Sequence, residues 1–495
     1  MRLFEIVLSV ANLLALLGLA IPRLRANRWV NLTGPFAGLM AIVQIVVEGW
    51  RWEMIPAYTL AGIFLVVWLI RSVVKAKLRL GRAGKIASTG AAILVMVISM
   101  VLPLILPVFK FPKPTGSYAI GELTYYWTDS SRPELFTLDP NDKRQLMAQV
   151  WYPAVDEPSA PRAPYIPDAS NVTAAISKLL NMPPFLFDQL KYVTTNAVEG
   201  APISSNQSSY PVLIYLTGVD GFSSVSTFQI QELVSQGYIV VGLDQPGIAP
   251  LIRFPNGQQI YGYSREQLQP QIDQSANPQS PAPILNGIPL PDGIVPYFAQ
   301  DASFALDQLA IINGSDPNRI LTGKMDFARV GTFGISLGGM DAAEFALTDP
   351  RVKACIIMDV NLPADVVNRG LRQPTMFLTR DLATFELEHA TNGTFTGNSI
   401  QETIDTMHSV YERLPGDGYY VEIKGMFHVN FTDIPYWSPL MKSLGETGPI
   451  NPQTGFNIVN AYSVAFFDKE LRGGAPALLA SLSSPYPEVI FQKNK

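Results

Sequence analysis

Ser336 sits in Gly334-Ile335-Ser336-Leu337-Gly338-Gly339, with a glycine two residues before it and two residues after it. Residues 328–333 ahead of it have strand character, and 338–347 behind it have helical spacing. A serine at so sharp a strand-to-helix bend is held at the strand's carboxyl end, and side chains at the two flanking positions would clash, hence Gly334 and Gly338. This is the G-x-S-x-G pattern of a nucleophile elbow, whose chemistry is attack by the serine hydroxyl on a carbonyl carbon. The free amide of Leu337 at the helix start is a ready donor to the oxyanion that forms. A glycine-rich turn with no chemistry is the plainer reading, and the residues downstream argue against it.

A serine hydroxyl needs a base beside it. The chain has three histidines, His389, His408 and His428. His428 follows the last expected strand, 419–424, on a loop that can reach back to the elbow. His389 and His408 fall in a loop and a helical stretch between strands and read as surface residues. The acid that orients the imidazole must be a carboxylate. Asp359 ends the strand after the elbow helix, 23 residues beyond Ser336, and Asp381 ends the next strand. Both stand at strand carboxyl ends, where active sites of open α/β sheets gather. The order Ser, Asp, His holds with either, and the two remain open on position alone.

These residues need a scaffold. Residues 121–127 and 145–152 read as strands, the second stopped by Pro153. Strands at 211–216, 237–243, 328–333, 352–358, 374–379 and 419–424 then alternate with helices at 228–235, 299–312, 338–347 and 401–413, and an amphipathic helix at 457–471 closes the chain. Strands alternating with helices imply a mostly parallel, doubly covered sheet, the α/β-hydrolase fold class. Insertions at about 164–203 and 246–297 interrupt the alternation. Long irregular segments of this kind serve as lids or binding loops, or merely decorate the surface.

Hydrophobic residues make up 48% of the chain and charged residues only 16%, which is too apolar for an ordinary soluble protein. The excess lies in four runs at 4–22, 32–47, 55–74 and 88–109, near the ~20 residues that cross a bilayer. A signal peptide explains only the first of them. The expected division is an all-α transmembrane anchor of about four helices over 1–112 and a catalytic domain over 113–495. Basic residues fill the first loop (Arg23, Arg25, Arg28) and the third (Arg71, Lys75, Lys77, Arg79, Arg82, Lys85), whereas the second holds Arg51 beside Glu48 and Glu53. Loops one and three are therefore expected in the cytoplasm and the catalytic domain outside, if all four runs cross. No Asp, Glu or Lys stands in the middle of a run, so an anchor is expected rather than an ion relay. Asn12 and Gln44 are expected as interhelical hydrogen-bond partners. The formal net charge of −5 speaks against a nucleic-acid partner, and the single Cys355 excludes an internal disulfide or a Cys-rich metal site.

The elbow 334–339, the segment Met358-Asp359-Val360-Asn361-Leu362-Pro363 and the tail His428-Val429-Asn430-Phe431-Thr432-Asp433 together resemble the plasma-type (type II) platelet-activating factor acetylhydrolases and their bacterial relatives, over roughly 121–473. The resemblance implies that Asp359 rather than Asp381 is the acid. It also implies that the Val219 amide, in Tyr215-Leu216-Thr217-Gly218-Val219-Asp220-Gly221-Phe222, is the second oxyanion donor. There Thr217 replaces the family's His and Asp220 its Gly. The expected function is ester hydrolysis through an acyl-enzyme on lipid-like esters such as short-chain or oxidised acyl phospholipids, with membrane lipids as surroundings and no metal or organic cofactor. A general carboxylesterase or polyester hydrolase is the rival enzyme, and a membrane sensor on a degenerate hydrolase scaffold the rival outside enzymes.

Overall fold

The computed structural model describes residues 1–21, 23–24, 27–72, 74, 81–481 and 483–494. Of the loop cations named above, Arg25, Lys75, Lys77 and Arg79 lie outside the described residues. The chain divides into two compact units.

One unit comprises Met1–Phe109, Pro184–Val193 and Trp437–Leu440. Its helices are Leu3–Ala20, Thr33–Glu48, Ile55–Ser72 and Arg82–Ile105. Leu3–Ala20, Trp52–Ser72 and Arg82–Ile105 are long and apolar enough to cross a membrane, whereas Thr33–Glu48 has 16 residues and rises only about 24 Å. That short helix packs against both the first helix and the third. Asn12 Nδ2 donates to the Ala57 carbonyl (2.9 Å) and Tyr58 Oη to Gln44 Oε1 (2.6 Å), so both polar side chains link helices. Arg51, read from sequence as a loop cation, is instead buried. It pairs with Glu5 (2.8 Å) and Glu53 (3.1 Å) and donates to the Leu106 carbonyl. Arg2 pairs with Glu5 (2.9 Å), and the Phe4 amide donates to Glu48 (2.9 Å). The first turn of the first helix, the 48–53 turn and the end of the last helix thus meet at one end of the bundle. Part of the first insertion belongs here as well, with the Trp52 indole donating to the Phe185 carbonyl (2.9 Å).

The other unit is built on a ten-stranded sheet: β1 (Ala119–Pro133), β2 (Lys143–Ala154), β3 (Ala197–Glu199), β4 (Tyr210–Leu216), β5 (Ile239–Asp244), β6 (Met325–Ile335), β7 (Val352–Met358), β8 (Thr375–Thr379), β9 (Gly418–Ile423) and β10 (Val489–Lys493), in the order β10-β9-β8-β7-β6-β4-β5-β2-β1-β3. From β5 through β9 the neighbours are parallel, and β1–β2, β2–β5 and β9–β10 are antiparallel. Both faces are covered, which is why β4 and β8 are buried end to end and β7 everywhere but at Lys353. Cys355 and Ile357 share a core with the helices Val295–Gly314 and Leu337–Thr348. On the other face the Phe333 ring meets Phe467 of the helix Pro452–Arg472 (centroids 6.1 Å apart).

Three expectations need correction. Pro153 does not stop β2, which runs to Ala154. Pairing with β5 ends at Trp151, so a residue without an amide proton costs no hydrogen bond on that side. His389 lies in the last turn of the helix Leu382–Asn392, not in a loop. The strand at 418–423 is not the last, nor does a helix close the chain, because β10 adds to the sheet edge.

Candidate active site

The parallel strands bring their carboxyl ends to one edge, and the chemistry-bearing residues follow there in register. β6 runs into Ser336, whose amide donates to the Met358 carbonyl at the end of β7 (3.1 Å). The next residue, Asp359, donates its amide to Leu378 of β8 (2.9 Å). Arg380 follows β8, and His428 follows β9.

Ser336 has φ 58° and ψ −131°, a conformation rare outside glycine, immediately before the helix Leu337–Thr348. A Cβ on Gly338 would overlap the Leu216 carbonyl, so the helix can start this close to β4 only with glycine there. A Cβ on Gly218 would stand 2.7 Å from the Ser336 Cβ, so the 217–222 loop lies directly against the serine. That loop turns back by a Gly221 amide to Gly218 carbonyl bond (3.0 Å), with Asp220 at φ 62°. Among the described residues neither the Val219 nor the Leu337 amide donates to another group of the chain.

His428 Nδ1 lies 2.6 Å from Asp359 Oδ2. Asp359 is buried, and its other oxygen accepts from Thr379 Oγ1 (2.9 Å) and Arg380 Nε (3.1 Å). Burial alone would raise this carboxyl, but the Arg380 charge, with the His428 and Thr379 hydrogen bonds, holds it below the usual carboxylate range. An ionised Asp359 makes Nδ1 the protonated nitrogen and leaves the Nε2 lone pair free. Burial, with the charges of Arg380 and Arg265 added, lowers His428 against the opposing pull of Asp359, so the imidazole rests neutral near pH 7. Asp381 makes no such contact: it precedes the helix Leu382–Asn392 and accepts from Thr384 Oγ1. His389 stays on that helix, and His408 stacks on Tyr420 (4.2 Å). Burial pushes Asp220 up to about 6, against the charge of Arg265.

Sequence reasoning passed over Arg380, Glu388 and Phe395. Arg380 pairs with both Asp359 (3.0 Å) and Glu388, and Glu388 accepts from the His428 amide (3.2 Å). The signal in the sequence is a cation directly after a parallel strand, beside Asp381. Both insertions, through Ile166, Val172, Leu251 and Phe254, line a cavity of 340 Å³ with Phe222 and Asp244. Among the described residues no cluster of three or more His, Cys, Asp or Glu could hold a metal ion.

A family model described as platelet-activating factor acetylhydrolase, isoform II, matches residues 106–245 and 307–474. The chain belongs to this family. It is accordingly a carboxylic ester hydrolase. The family match leaves out the N-terminal helices and all of the second insertion. Among curated relatives, a protein of Arthroderma benhamiae named "Probable 1-alkyl-2-acetylglycerophosphocholine esterase" is 24% identical over 408 residues, covering 77% of this chain and 94% of its own length. The platelet-activating factor acetylhydrolase of Gallus gallus is 22% identical over 391 residues, covering 73% of this chain and 84% of its own. Among solved structures, a ferulic acid esterase from Streptomyces cinnamoneus superposes with a TM-score of 0.58 at 24% identity, over 78% of this chain and 99% of its own, a likeness of fold.

Proposed function

We propose that the chain is a membrane-anchored serine esterase that removes short or oxidised acyl groups from glycerophospholipid-like esters. Ser336 attacks the carbonyl as His428 Nε2 takes its proton. Asp359 stabilises the imidazolium, and the Leu337 and Val219 amides receive the oxyanion. The imidazolium protonates the leaving alcohol, and water activated by the same histidine then releases the acid. The observation that carries the reading is the 2.6 Å contact between His428 and Asp359 on the strand end adjoining the elbow. The names of the relatives support the acyl class.

A fluorophosphonate probe is expected to label the folded protein at Ser336, and Ser336→Ala to abolish labelling and hydrolysis together. A folded wild-type protein that stays unlabelled would end the enzyme assignment. Acetyl-phospholipids are expected to be cleaved faster than long-chain phospholipids or polyester films, and equal rates on all three would remove the lipid part of the proposal.

The proposed arrangement is multi-pass, with the catalytic unit outside the cytoplasm. The Arg51 contacts to Glu5 and Leu106 support an even number of crossings, since they join the first turn of the first helix to the end of the last. The basic third loop supports the orientation.

A further inference from the structure

Arg380 is a fully buried cation, and no step described above uses it directly. Its guanidinium lies 4.0 Å from the centroid of the Phe385 ring and 4.5 Å from that of the Phe395 ring, two rings set nearly perpendicular to each other. Phe395 adopts φ 61°, a costly backbone state for a bulky residue, and its ring lies edge-to-face with the His428 ring, centroids 5.3 Å apart. The guanidinium meets Asp359 through Nε and Nη2 and Glu388 through Nη1. Glu388, itself buried, accepts from the His428 backbone amide. With the His428 Nδ1 to Asp359 bond, these contacts close a ring of four residues.

We propose, building on the catalytic roles above, that Arg380 is a positioning residue for ester cleavage. It fixes the acid directly and, through Glu388, the backbone of the base. The charge count favours this role. The charged groups around His428 are Asp359 from the end of β7, Arg380 from the end of β8, Glu388 from the helix Leu382–Asn392 at its backbone amide and, farther off, Arg265 from the second insertion. Within the ring two carboxylates face one guanidinium, so the site carries one net negative charge at rest and none when His428 is protonated. Without Arg380 two unmatched carboxylates would favour the imidazolium before attack, and the base would be occupied in advance. With Arg380 a single carboxylate remains to stabilise the imidazolium only once it forms. A lysine could carry the charge but not the planar fork that meets two carboxylates at once.

The test uses the full-length chain and the kcat/KM pH profile on a short-chain nitrophenyl ester. Arg380→Met is expected to move the acidic limb upward by about 1 pH unit or more and to lower kcat about 10²-fold, while KM changes little. Adding Glu388→Gln removes one negative charge with the positive one, and is expected to bring the limb back toward wild type. Arg380→Lys keeps the limb near its wild-type position and loses only turnover. A folded Arg380→Met protein whose limb coincides with wild type, or a double variant whose limb stays displaced, would reduce Arg380 to a packing role and overturn the inference. Ser336→Ala in parallel separates the two claims: if that protein still cleaves the ester, the nucleophile assignment fails, whatever Arg380 does.

Discussion

Asp359 and Asp381 are both carboxylates at the ends of neighbouring parallel strands, and only their side-chain partners distinguish them. Asp359 is engaged by His428, Thr379 and Arg380, whereas Asp381 serves the helix that begins beside it. Asp359→Asn is expected to cut kcat about 10⁴-fold, because an amide cannot hold the same imidazole tautomer. Asp381→Asn should leave turnover nearly intact, and the reverse result in steady-state assays would move the acid to the following strand. Asp220 carries a pH dependence of its own. Its folded-state value is raised to about 6, so between about pH 4 and 6 the folded protein retains a proton that the unfolded chain has released. This residue therefore lowers stability as pH rises through that window. Above it, a carboxylate beside the proposed Val219 donor opposes the developing oxyanion. Asp220→Asn is expected to gain in kcat relative to wild type as pH rises past 6, and to gain more in Tm at pH 8 than at pH 5. A rate ratio that stays flat with pH would show that the side chain does not act on the oxyanion.

At the scale of elements, Asn430 and Asp433 in the tail after His428 each hold a neighbouring segment in place. Asn430 Oδ1 accepts from the Phe427 amide (2.9 Å) and the Gly448 amide (2.8 Å), fixing the turn that presents the histidine. The Asp433 carboxyl accepts from the amides of Thr227 (2.7 Å) and Phe228 (3.1 Å) at the start of the helix Thr227–Ser235, and its own amide donates to Val225. One carboxyl thus couples the loop beside Ser336 to the loop carrying His428. Asp433→Ala leaves two buried helix-start amides unpaired and is expected to cost about 2–3 kcal/mol in urea unfolding, together with a loss of kcat. A change below about 0.5 kcal/mol would show that the cap is dispensable. Much of this arrangement is legible in the sequence. The elbow announces itself because only glycine fits beside it, and the β-branched runs of β4, β6 and β7 alternate cleanly with helices. The choice between Asp359 and Asp381 was not legible from position, since both end strands. Neither was the ring around Arg380, because Glu388 and Phe395 take part through helix and turn geometry that spacing does not display. β10 is not legible either, because five residues after a polar, proline-rich stretch carry too little pattern to distinguish a strand from an extended tail.

For the molecule as a whole, the proposed membrane arrangement is tested by cysteine labelling. Cys355 is fully buried and burial pushes its thiol strongly upward, so it stays silent toward thiol reagents and the native chain gives a clean background. Lys113→Cys, at an exposed position beyond the last helix, is expected to react with an impermeant maleimide in intact cells, whereas Lys85→Cys reacts only after permeabilisation. The opposite pattern would turn the catalytic unit toward the cytoplasm, and labelling of both in intact cells would rule out a crossing by Arg82–Ile105.

β10 lies antiparallel on β9 from Val489 against Ile423 to Lys493 against Tyr419, and the Lys424 amide donates to Glu488 (2.8 Å). Proteolytic clipping ahead of Val489 would uncover a row of main-chain amides and carbonyls, a template on which a second molecule can add a strand of its own. Nicked preparations should therefore self-associate through the edge next to the histidine-bearing loop, and lose turnover as they clump rather than as they unfold.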